Sequence, residues 1–464
     1  MAKIFSWKYG SFLLFAAVFT GLICSSCKRK NVNEQPEPPN VIFILADDLG
    51  WSQTGAYGSE FYETPNIDRL AKEGVRFTHA YSAAAVCSPT RASIMTGKYP
   101  ARIGLTDFIA GNRRDNYTLS QPDWQKFLPL DEYSLGELFR ENGYATAIFG
   151  KWHLSKNKRP PESLSHNPDK QGFDEYFITY KPDGSTDPEG DPHNSDTITA
   201  LSLDFLERKK DTSFFLFMSF NAIHDPLVES RDRIAQFKNH PLSGEPENHP
   251  VVAAMLKRMD TNIGKVLDKI EKLGLEEKTF MVFYSDNGGK ESYADQAPFR
   301  KGKGWLYEGG IRVPLIIKWE NKIREQTVSD AMVISNDFFP TFSDLLNHDS
   351  IISNDGVNLL PHLLKQKPVP DRALFWHYPH YHFGTGMMPA SAMRSGNFKL
   401  IEWHEKILTG KNNFLELYDL SNDPGEEVNL ADSLTVLRDS MYGELLDWRR
   451  KADAKMPLIN NPEK

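Results

Sequence analysis

The sequence has few cysteines, no excess of basic residues and no apolar run long enough to cross a bilayer comfortably. Three of its 464 residues are cysteine, and two of these, Cys24 and Cys27, lie near the N-terminus, so a disulfide framework is excluded for the remaining chain. Lysine and arginine number 54 against 62 acidic residues, and the net charge of −8 argues against a nucleic-acid partner. An anionic substrate would therefore need a locally positive site.

The N-terminus has the pattern of an export signal. Lys3 and Lys8 precede an apolar run at 12–23, which is too short for a membrane span and is typical of a signal peptide. Residues 22–27 resemble a bacterial lipoprotein signal, so we predict a signal at 1–27, lipidation of Cys27 and a flexible tether at 28–40. The protein is then exported, periplasmic or anchored to the outer membrane by its lipid. Plain secretion without lipid is the alternative.

Five short apolar runs, at 41–46, 144–149, 213–220, 279–284 and 313–319, predict strands buried on both faces of a sheet. Helical patterns lie between them, most clearly at 251–273, and Gly274 ends that helix. This alternation indicates an α/β domain with a mostly parallel sheet flanked by helices, at 41–345. Shorter apolar segments beyond it predict a smaller C-terminal α+β subdomain with an antiparallel sheet, at 346–464.

Polar residues follow four of the predicted strands directly. They are Asp47 and Asp48 after the first strand, 151–153 after the second, 221–224 after the third and 286–288 after the fourth. In open α/β sheets, ligands bind outside the carboxyl ends of the strands. We therefore expect the four clusters to meet at one edge of the sheet.

The segment 87–97 predicts a short helix next to a lone cysteine. Pro89 suits the first turn of a helix, where its missing N–H would have no partner, and Gly97 suits the C-terminal end. Cys87 would then lie just before the helix N-terminus, where free N–H groups and the helix dipole favour an anion. An inert buried thiol is the alternative.

The pattern Cys-x-Pro-x-Arg at 87–91, completed by Thr-Gly at 96–97, resembles the signature of the type I sulfatases, formylglycine-dependent enzymes of the alkaline phosphatase superfamily. Segments 47–50, 150–154, 285–288 and 302–314 match the same family in the same order. The resemblance implies an alkaline-phosphatase-like fold and oxidation of Cys87 to formylglycine (3-oxoalanine) by a formylglycine-generating maturation enzyme. One hydroxyl of the hydrated aldehyde would attack sulfur, and the second would allow sulfate to be expelled.

Asp47, Asp48, Asp286 and Asn287 offer only oxygen ligands, which favours a hard cation. The resemblance implies calcium, in contact also with the side chain formed from Cys87, although magnesium or manganese would satisfy the same chemistry. The ion would activate the hydrated aldehyde and polarise a sulfate oxygen. A solvated loop is the alternative for the aspartates that follow the first strand.

The resemblance also assigns basic side chains to the site. Lys151 and Lys303 match residues that hold the sulfate, whereas Arg91 and His153 match residues that orient and activate the formylglycine. His224 matches a histidine close to the ester oxygen, where it would protonate a poor leaving group. Three aspartates balance the three lysine and arginine charges, so a divalent ion would leave a positive pocket in an acidic protein. Surface charges and structural histidines are the alternatives.

Substrate contacts are predicted from composition rather than from a motif. The stretch 376–382 is rich in rings and polar groups that suit a sugar, so His377 and His380 are predicted to bind substrate, with packing between subdomains as the alternative. Asp107, Arg113 and Arg114 follow the nucleophile helix and are further predicted contacts.

The leading hypothesis from the sequence is an exo-acting carbohydrate sulfatase, similar to bacterial arylsulfatases, that removes sulfate from a sulfated carbohydrate outside the cytoplasm. One alternative is a phosphonate or phosphate monoester hydrolase of the same superfamily, since the fold does not separate these activities. A second alternative is a catalytically silent protein that binds sulfated glycans. This alternative is disfavoured because no expected site residue is missing.

Overall fold

The computed structural model describes residues 38–111, 116–156, 162–348 and 352–460. The predicted signal segment with Cys27, most of the predicted tether, and Arg113 and Arg114 lie outside the described residues. From Pro39 onward the described chain forms one structural unit, and the predicted boundary after residue 345 stays a prediction. Among the helices in the described ranges, none is long and apolar enough to cross a membrane.

An eight-stranded sheet lies at the centre of the fold, with the order β10-β2-β9-β8-β1-β7-β5-β6. Its strands are β1 (Asn40–Ala46), β2 (Val75–Phe77), β5 (Ala145–Gly150), β6 (Glu175–Ile178), β7 (Phe214–Ser219), β8 (Thr279–Ser285), β9 (Leu315–Lys318) and β10 (Thr327–Ser329). Pairing is parallel except at β9, which runs antiparallel to both β2 and β8. The prediction of a mostly parallel sheet is confirmed.

The central strand β1 is buried on both faces, as its unbroken apolar run predicts. Val41, Phe43 and Leu45 face one hydrophobic core, and the intervening residues Ile42 and Ile44 face the other. The run at 313–319 forms the shorter strand β9. It is antiparallel to β8 because the chain leaves β8 at the carboxyl edge and enters β9 from that same edge.

The described helices pack on the central sheet, on a second sheet in the C-terminal part of the chain, or on one another. They are α1 (Pro65–Lys72), α2 (Cys87–Thr96), α3 (Pro100–Ile103), α4 (Leu135–Glu141), α5 (Ser195–Lys209), α6 (Arg231–Lys238), α7 (Pro250–Leu273), α8 (Glu308–Ile311), α9 (Phe338–Leu345), α10 (Leu360–Lys365), α11 (His404–Leu408) and α12 (Thr435–Lys451). The helix predicted at 251–273 is α7, and it ends at Gly274 with a φ of 66°.

A second, four-stranded sheet is antiparallel throughout and confirms the prediction for the C-terminal part of the chain. Its strands are β12 (Ala373–Tyr378), β13 (Ala390–Ser395), β14 (Phe398–Trp403) and β15 (Leu415–Asp419). Helix α12 packs on this sheet, with Trp448 stacked on Phe375 at 4.8 Å between ring centroids. The short strands β3 (Ala80–Tyr81) and β11 (Val333–Ile334) pair with each other, as do β4 (Leu119–Ser120) and β16 (Leu458–Ile459).

The four polar clusters predicted from the sequence follow strands that are neighbours in the central sheet, in the order β8-β1-β7-β5. Because β1, β5, β7 and β8 are mutually parallel, their carboxyl ends lie at the same edge. This adjacency brings residues that are far apart in sequence into one site.

Candidate active site

Cys87 is the first residue of α2 and is only 2% exposed, at the wall of a cavity of about 480 Å³. The sequence places it just before the helix, and the structure moves that boundary by one residue, with Val86 as the N-cap. Gly97 ends α2 with a φ of 69°, as predicted. Burial raises the pKa of the Cys87 thiol to about 12, so the unmodified side chain is a poor source of thiolate.

Four oxygen-bearing side chains form a buried cluster beside Cys87. The Asp48 N–H donates to Asp286 Oδ1 at 3.2 Å, and Asn287 Nδ2 donates to Asp48 Oδ1 at 2.8 Å. Asp47 Oδ1 and Asn287 Oδ1, in contrast, are buried and have no hydrogen-bond partner among the described residues. The cluster therefore holds acceptors that the protein alone does not satisfy.

Arg91 supports this cluster from α2. Its Nε donates to Asp286 Oδ2 at 2.9 Å, and its Nη1 donates to the Lys151 carbonyl at 2.8 Å and to Ser219 Oγ at 2.6 Å. Arg91 is almost completely buried, so removing it would leave the charge of Asp286 without its main partner. The arginine predicted from the motif thus binds the acidic cluster and the end of β5 together.

Two lysines each contact one aspartate of this cluster. Lys151 Nζ lies 2.7 Å from Asp47 Oδ2, and Lys303 Nζ lies 2.7 Å from Asp48 Oδ2. Both lysines also line the cavity. They can therefore contact an anion in the cavity while they remain next to the carboxylates.

The charges of this cluster shift the protonation of its aspartates in opposite directions. Burial raises the pKa of Asp286 to about 6, and repulsion from Asp47 adds to this despite the attraction of Arg91. Burial would raise the pKa of Asp48 as well, but Lys303 and the neighbouring basic groups outweigh it and hold that pKa below its usual range. A site that crowds carboxylates in this way is one that a cation stabilises.

The residues present fit a metal ion. Asp47, Asp48, Cys87 and His224 each bring one ligand atom, and these atoms all lie within 4.8 Å of one another. The unsatisfied oxygens of Asp47 and Asn287 add acceptors to the same cluster. Oxygen ligands of this kind suit a hard divalent cation.

The two predicted histidines border the cavity with different nitrogens available. His153 Nε2 lies 3.0 Å from the Ile109 carbonyl, which fixes the proton on Nε2, and its buried Nδ1 has no partner among the described residues. His224 Nδ1 lies 2.5 Å from the Asp225 carbonyl, and its Nε2 lies 3.8 Å from Asp48 Oδ2. Burial and the charge of Lys303 lower the pKa of His224 to about 4. Burial, with the charges of Lys151 and Arg91, holds the pKa of His153 well below its usual value.

Three predicted substrate contacts lie away from the cavity wall. His377 is held on both nitrogens, by Ser391 Oγ at 2.8 Å and by a backbone carbonyl at 3.0 Å. His380 Nε2 bonds a threonine hydroxyl at 2.8 Å, and Asp107 accepts from Tyr378 OH at 2.9 Å. All three are buried, so the geometry favours the packing alternative for them over sugar contact.

The cavity wall contains residues that the sequence did not single out. His382, at the end of the aromatic stretch, is the member of that stretch that lines the cavity, and Phe383 follows it. Tyr180, Lys181 and Lys156 line the wall near β5 and β6. The only sequence signal for these residues is their place just after strands, and β6 itself is too short for its apolar pattern to predict.

Comparisons with known proteins agree with this arrangement. A family model described as "Sulfatase" matches residues 39–348, and a second, described as "N-sulphoglucosamine sulphohydrolase, C-terminal", matches residues 300–451. The chain is 29% identical to "Sulfatase" of Formosa agariphila over 98% of this chain and 94% of that protein. It is 33% identical to N-acetylgalactosamine-6-sulfatase of Rattus norvegicus over 79% of this chain and 72% of that protein.

Solved structures share the fold. The structure of Ps i-CgsB in complex with k-i-k-neocarrahexaose superposes with a TM-score of 0.75 and 28% identity, over 92% of this chain and 96% of that chain. The phosphonate monoester hydrolase of Agrobacterium radiobacter superposes with a TM-score of 0.67 and 20% identity, over 91% and 100% of the two chains. At that identity, the second likeness shows the fold alone.

Proposed function

This chain belongs to the sulfatase family of the alkaline phosphatase superfamily, and we propose that it removes sulfate from a sulfated carbohydrate with a formylglycine formed from Cys87 and a bound calcium ion. One observation carries the proposal. Cys87 begins α2 at the cavity wall, which Asp47, Lys151 and Lys303 also line, and Asp47 Oδ1 accepts no hydrogen bond from the described residues. This arrangement joins a nucleophile position, a cation site and an anion clamp.

Formylglycine and the bound ion would supply the bond-breaking chemistry. A hydrated formylglycine at position 87 would supply one hydroxyl to attack sulfur and a second whose deprotonation releases sulfate, and the ion would polarise that centre. Asp47, Asp48, Asp286 and Asn287 would hold the ion, a set supported by the close ligand atoms of Asp47 and Asp48 and by the hydrogen bonds that join Asp286 and Asn287 to Asp48. Lys151 and Lys303 would bind the sulfate oxygens that face the cavity.

The histidines would move the protons. His153 has its proton fixed on Nε2, so its Nδ1 lone pair can accept a proton from the nucleophile. His224 keeps its Nε2 towards the cluster and would donate to the departing sugar oxygen. Its lowered pKa makes it neutral in the absence of substrate, and a bound sulfate ester would favour its protonated form through charge attraction.

The named relatives and the lining of the cavity both support a carbohydrate substrate. The relatives include N-acetylgalactosamine-6-sulfatase, and one structural neighbour is held in complex with a neocarrahexaose. Tyr180 and Phe383 line the cavity and are exposed, so their rings can stack on a sugar. N-acetylgalactosamine 6-sulfate is therefore the first monosaccharide to test.

Turnover of matched aryl esters tests the proposed function. The matured protein should hydrolyse para-nitrophenyl sulfate with a higher kcat/KM than para-nitrophenyl phosphate, because the family model and the relatives that the chain matches are those of sulfatases. Cys87→Ala should lose turnover by roughly 10⁴-fold or more, as expected when a nucleophile is removed. Faster cleavage of the phosphate would favour the phosphonate or phosphate hydrolase, and turnover that survives Cys87→Ala would contradict the mechanism.

Export is part of the same proposal. The N-terminal pattern supports lipidation of Cys27, with the protein periplasmic or held at the outer membrane. A Cys27→Ala variant should move from the membrane fraction to the soluble fraction of the native host. Unchanged fractionation of the variant would count against the lipid anchor.

A further inference from the structure

The cavity wall beyond the catalytic cluster carries two lysines that the proposed reaction does not use. Lys156 follows β5, and Lys181 follows β6, the strand at the edge of the central sheet. The aspartates of the cation site follow β1 and β8 instead. From β1 to β6 there are three strand spacings, or about 14 Å, so the strand that precedes Lys181 lies to one side of the strand that precedes Asp47 and Asp48.

These two lysines differ from the other lysines of the cavity in their partners. Lys151 and Lys303 face aspartates at 2.7 Å, and Lys290 lies 3.4 Å from Asp225 Oδ2. Lys156 and Lys181 form no ion pair within the described parts of the chain, and Lys156 Nζ instead lies 4.8 Å from the centroid of the Phe127 ring. The outer wall therefore holds two lysines that have no described carboxylate within ion-pair distance and can approach an anion.

Exposed aromatic rings accompany this surplus charge. Tyr180 directly precedes Lys181 and is 72% exposed, and Phe383, which also lines the cavity, is 53% exposed. Large rings that are left in water at the mouth of a cavity are suited to stacking on a sugar face. The wall thus offers both a platform for a sugar ring and cations for an acidic group on it.

We propose that Lys156, Tyr180 and Lys181 form a second subsite that binds an anionic group, a carboxylate or a further sulfate, on the sugar next to the esterified one. This inference rests on the proposed function and deepens it, because it names the substrate class as an acidic oligosaccharide with negative charge on adjoining units. The inner lysines hold the ester that is cleaved, and the outer lysines select its neighbour. Charge balance supports this division, since only the outer pair lacks described acidic partners.

Competition against para-nitrophenyl sulfate tests the subsite with the full mature protein. One inhibitor is a disaccharide in which N-acetylgalactosamine 6-sulfate is joined to a uronic acid. The other is the same disaccharide with the uronic acid converted to its methyl ester. The free acid should inhibit at about fivefold lower concentration, the effect of a modest ion pair, and salt should reduce the difference. The two disaccharides should inhibit the Lys156→Met/Lys181→Met variant at equal concentrations.

Lys411→Met is the matched control, because Lys411 is exposed and does not line the cavity. It should keep the preference of the wild type for the free acid. Equal inhibition in the wild type, or a preference that persists in the double variant, would overturn the subsite. Absence of para-nitrophenyl sulfate turnover in the wild type would contradict the proposed function instead, and calorimetric binding of the two disaccharides would then test the subsite by itself.

Discussion

Two buried clusters of charged residues share the segment 302–312 but have different surroundings. The cavity cluster consists of Asp47, Asp48, Asp286, Arg91, Lys151 and Lys303. The inter-sheet cluster consists of Glu308, Arg312, Lys399, Glu426 and Tyr81. Lys399 Nζ lies 3.0 Å from Glu308 Oε1 and 2.9 Å from Glu426 Oε1, and both glutamates are fully buried.

The inter-sheet cluster is closed, whereas the cavity cluster is open. The Glu308 N–H donates to Glu426 Oε2 at 2.6 Å, and Tyr81 OH donates to Glu308 Oε2 at 2.7 Å. Glu426 Oε1 accepts no hydrogen bond but lies 2.9 Å from the Lys399 ammonium, so each of these inter-sheet carboxylate oxygens faces a group of the protein. In the cavity cluster, Asp47 Oδ1 and Asn287 Oδ1 accept no hydrogen bond from the described residues, and the nearest cation to Asp47 Oδ1 is Arg91 Nη2 at 3.9 Å. Burial of charge therefore does not by itself distinguish a reactive site, whereas an unsatisfied carboxylate oxygen of a cavity-lining residue, here Asp47, favours one.

The largest expected effect on stability is that of Lys399→Met, in the inter-sheet cluster. The variant leaves Glu308 and Glu426 buried without their shared cation, so the free energy of unfolding should fall by about 3–5 kcal/mol, measured by urea denaturation. The folded protein should keep its turnover of para-nitrophenyl sulfate, because Lys399 does not border the cavity. A large loss of kcat with little loss of stability would break the distinction between the clusters.

Lys303→Met, in the cavity cluster, should show the opposite pattern. Loss of a cation aimed at the sulfate should lower kcat/KM by roughly 10²–10³-fold. With calcium present, stability should change less than in Lys399→Met, because the ion would still neutralise Asp48. An unfolding free energy that falls as far as in Lys399→Met, with calcium saturating, would show that Lys303 is chiefly structural.

Removal of the divalent ion should lower the free energy of unfolding, because the cavity cluster loses its cation and the inter-sheet cluster is unaffected. At a calcium concentration 100 times its Kd, binding adds about 2.7 kcal/mol to the free energy of unfolding, which a chelator should abolish and calcium should restore. The Glu426→Gln variant should show the same chelator effect, because Glu426 lies outside the cation site. A thermal unfolding midpoint that is the same with and without the chelator would contradict the cation site.

The inter-sheet cluster also adds a pH dependence, whose effect on stability is spread over several pH units. Burial raises the pKa of Glu426 from 4.5 to about 7, although Lys399 opposes this. The folded protein therefore retains a proton that the unfolded chain releases, and its stability should fall as pH rises from 4.5 to about 7. The slope from this one group is at most about 1.4 kcal/mol per pH unit.

Glu426→Gln should make that stability profile flatter over the same pH range. Urea unfolding at several pH values measures this directly, with Lys411→Met as a surface control that stays within about 0.5 kcal/mol of the wild type. An unchanged slope in Glu426→Gln would assign the proton uptake to another group.

Features with a local sequence pattern could be predicted. The apolar run at 41–46 and the periodicity at 251–273 give β1 and α7 because a doubly buried strand and an amphipathic helix each have their own spacing. The acidic and basic residues after the strands could be located because each comes directly after a predicted strand. Parallel strands bring their carboxyl ends to one edge, so Asp47, Lys151 and Asp286 meet there.

Features set by long-range packing could not be predicted. His380 and Asp107 lie in suitable loops, but each is held by a residue about 270 positions away, at Thr106 and Tyr378 respectively. A local sequence pattern does not predict partners so far away in the chain. The same limit explains why Lys156 and Lys181 were not recognised, since only the folded cavity shows that they line one wall.

Mass spectrometry of the peptide that contains residue 87 tests the central claim most directly. Cys87 lies at the cavity wall with its thiol pKa raised, beside a cation site and two lysines, so its conversion is what would make the open cluster reactive. Protein purified from its native host should carry the aldehyde of formylglycine at position 87. An intact cysteine in protein that hydrolyses sulfate esters would contradict the account.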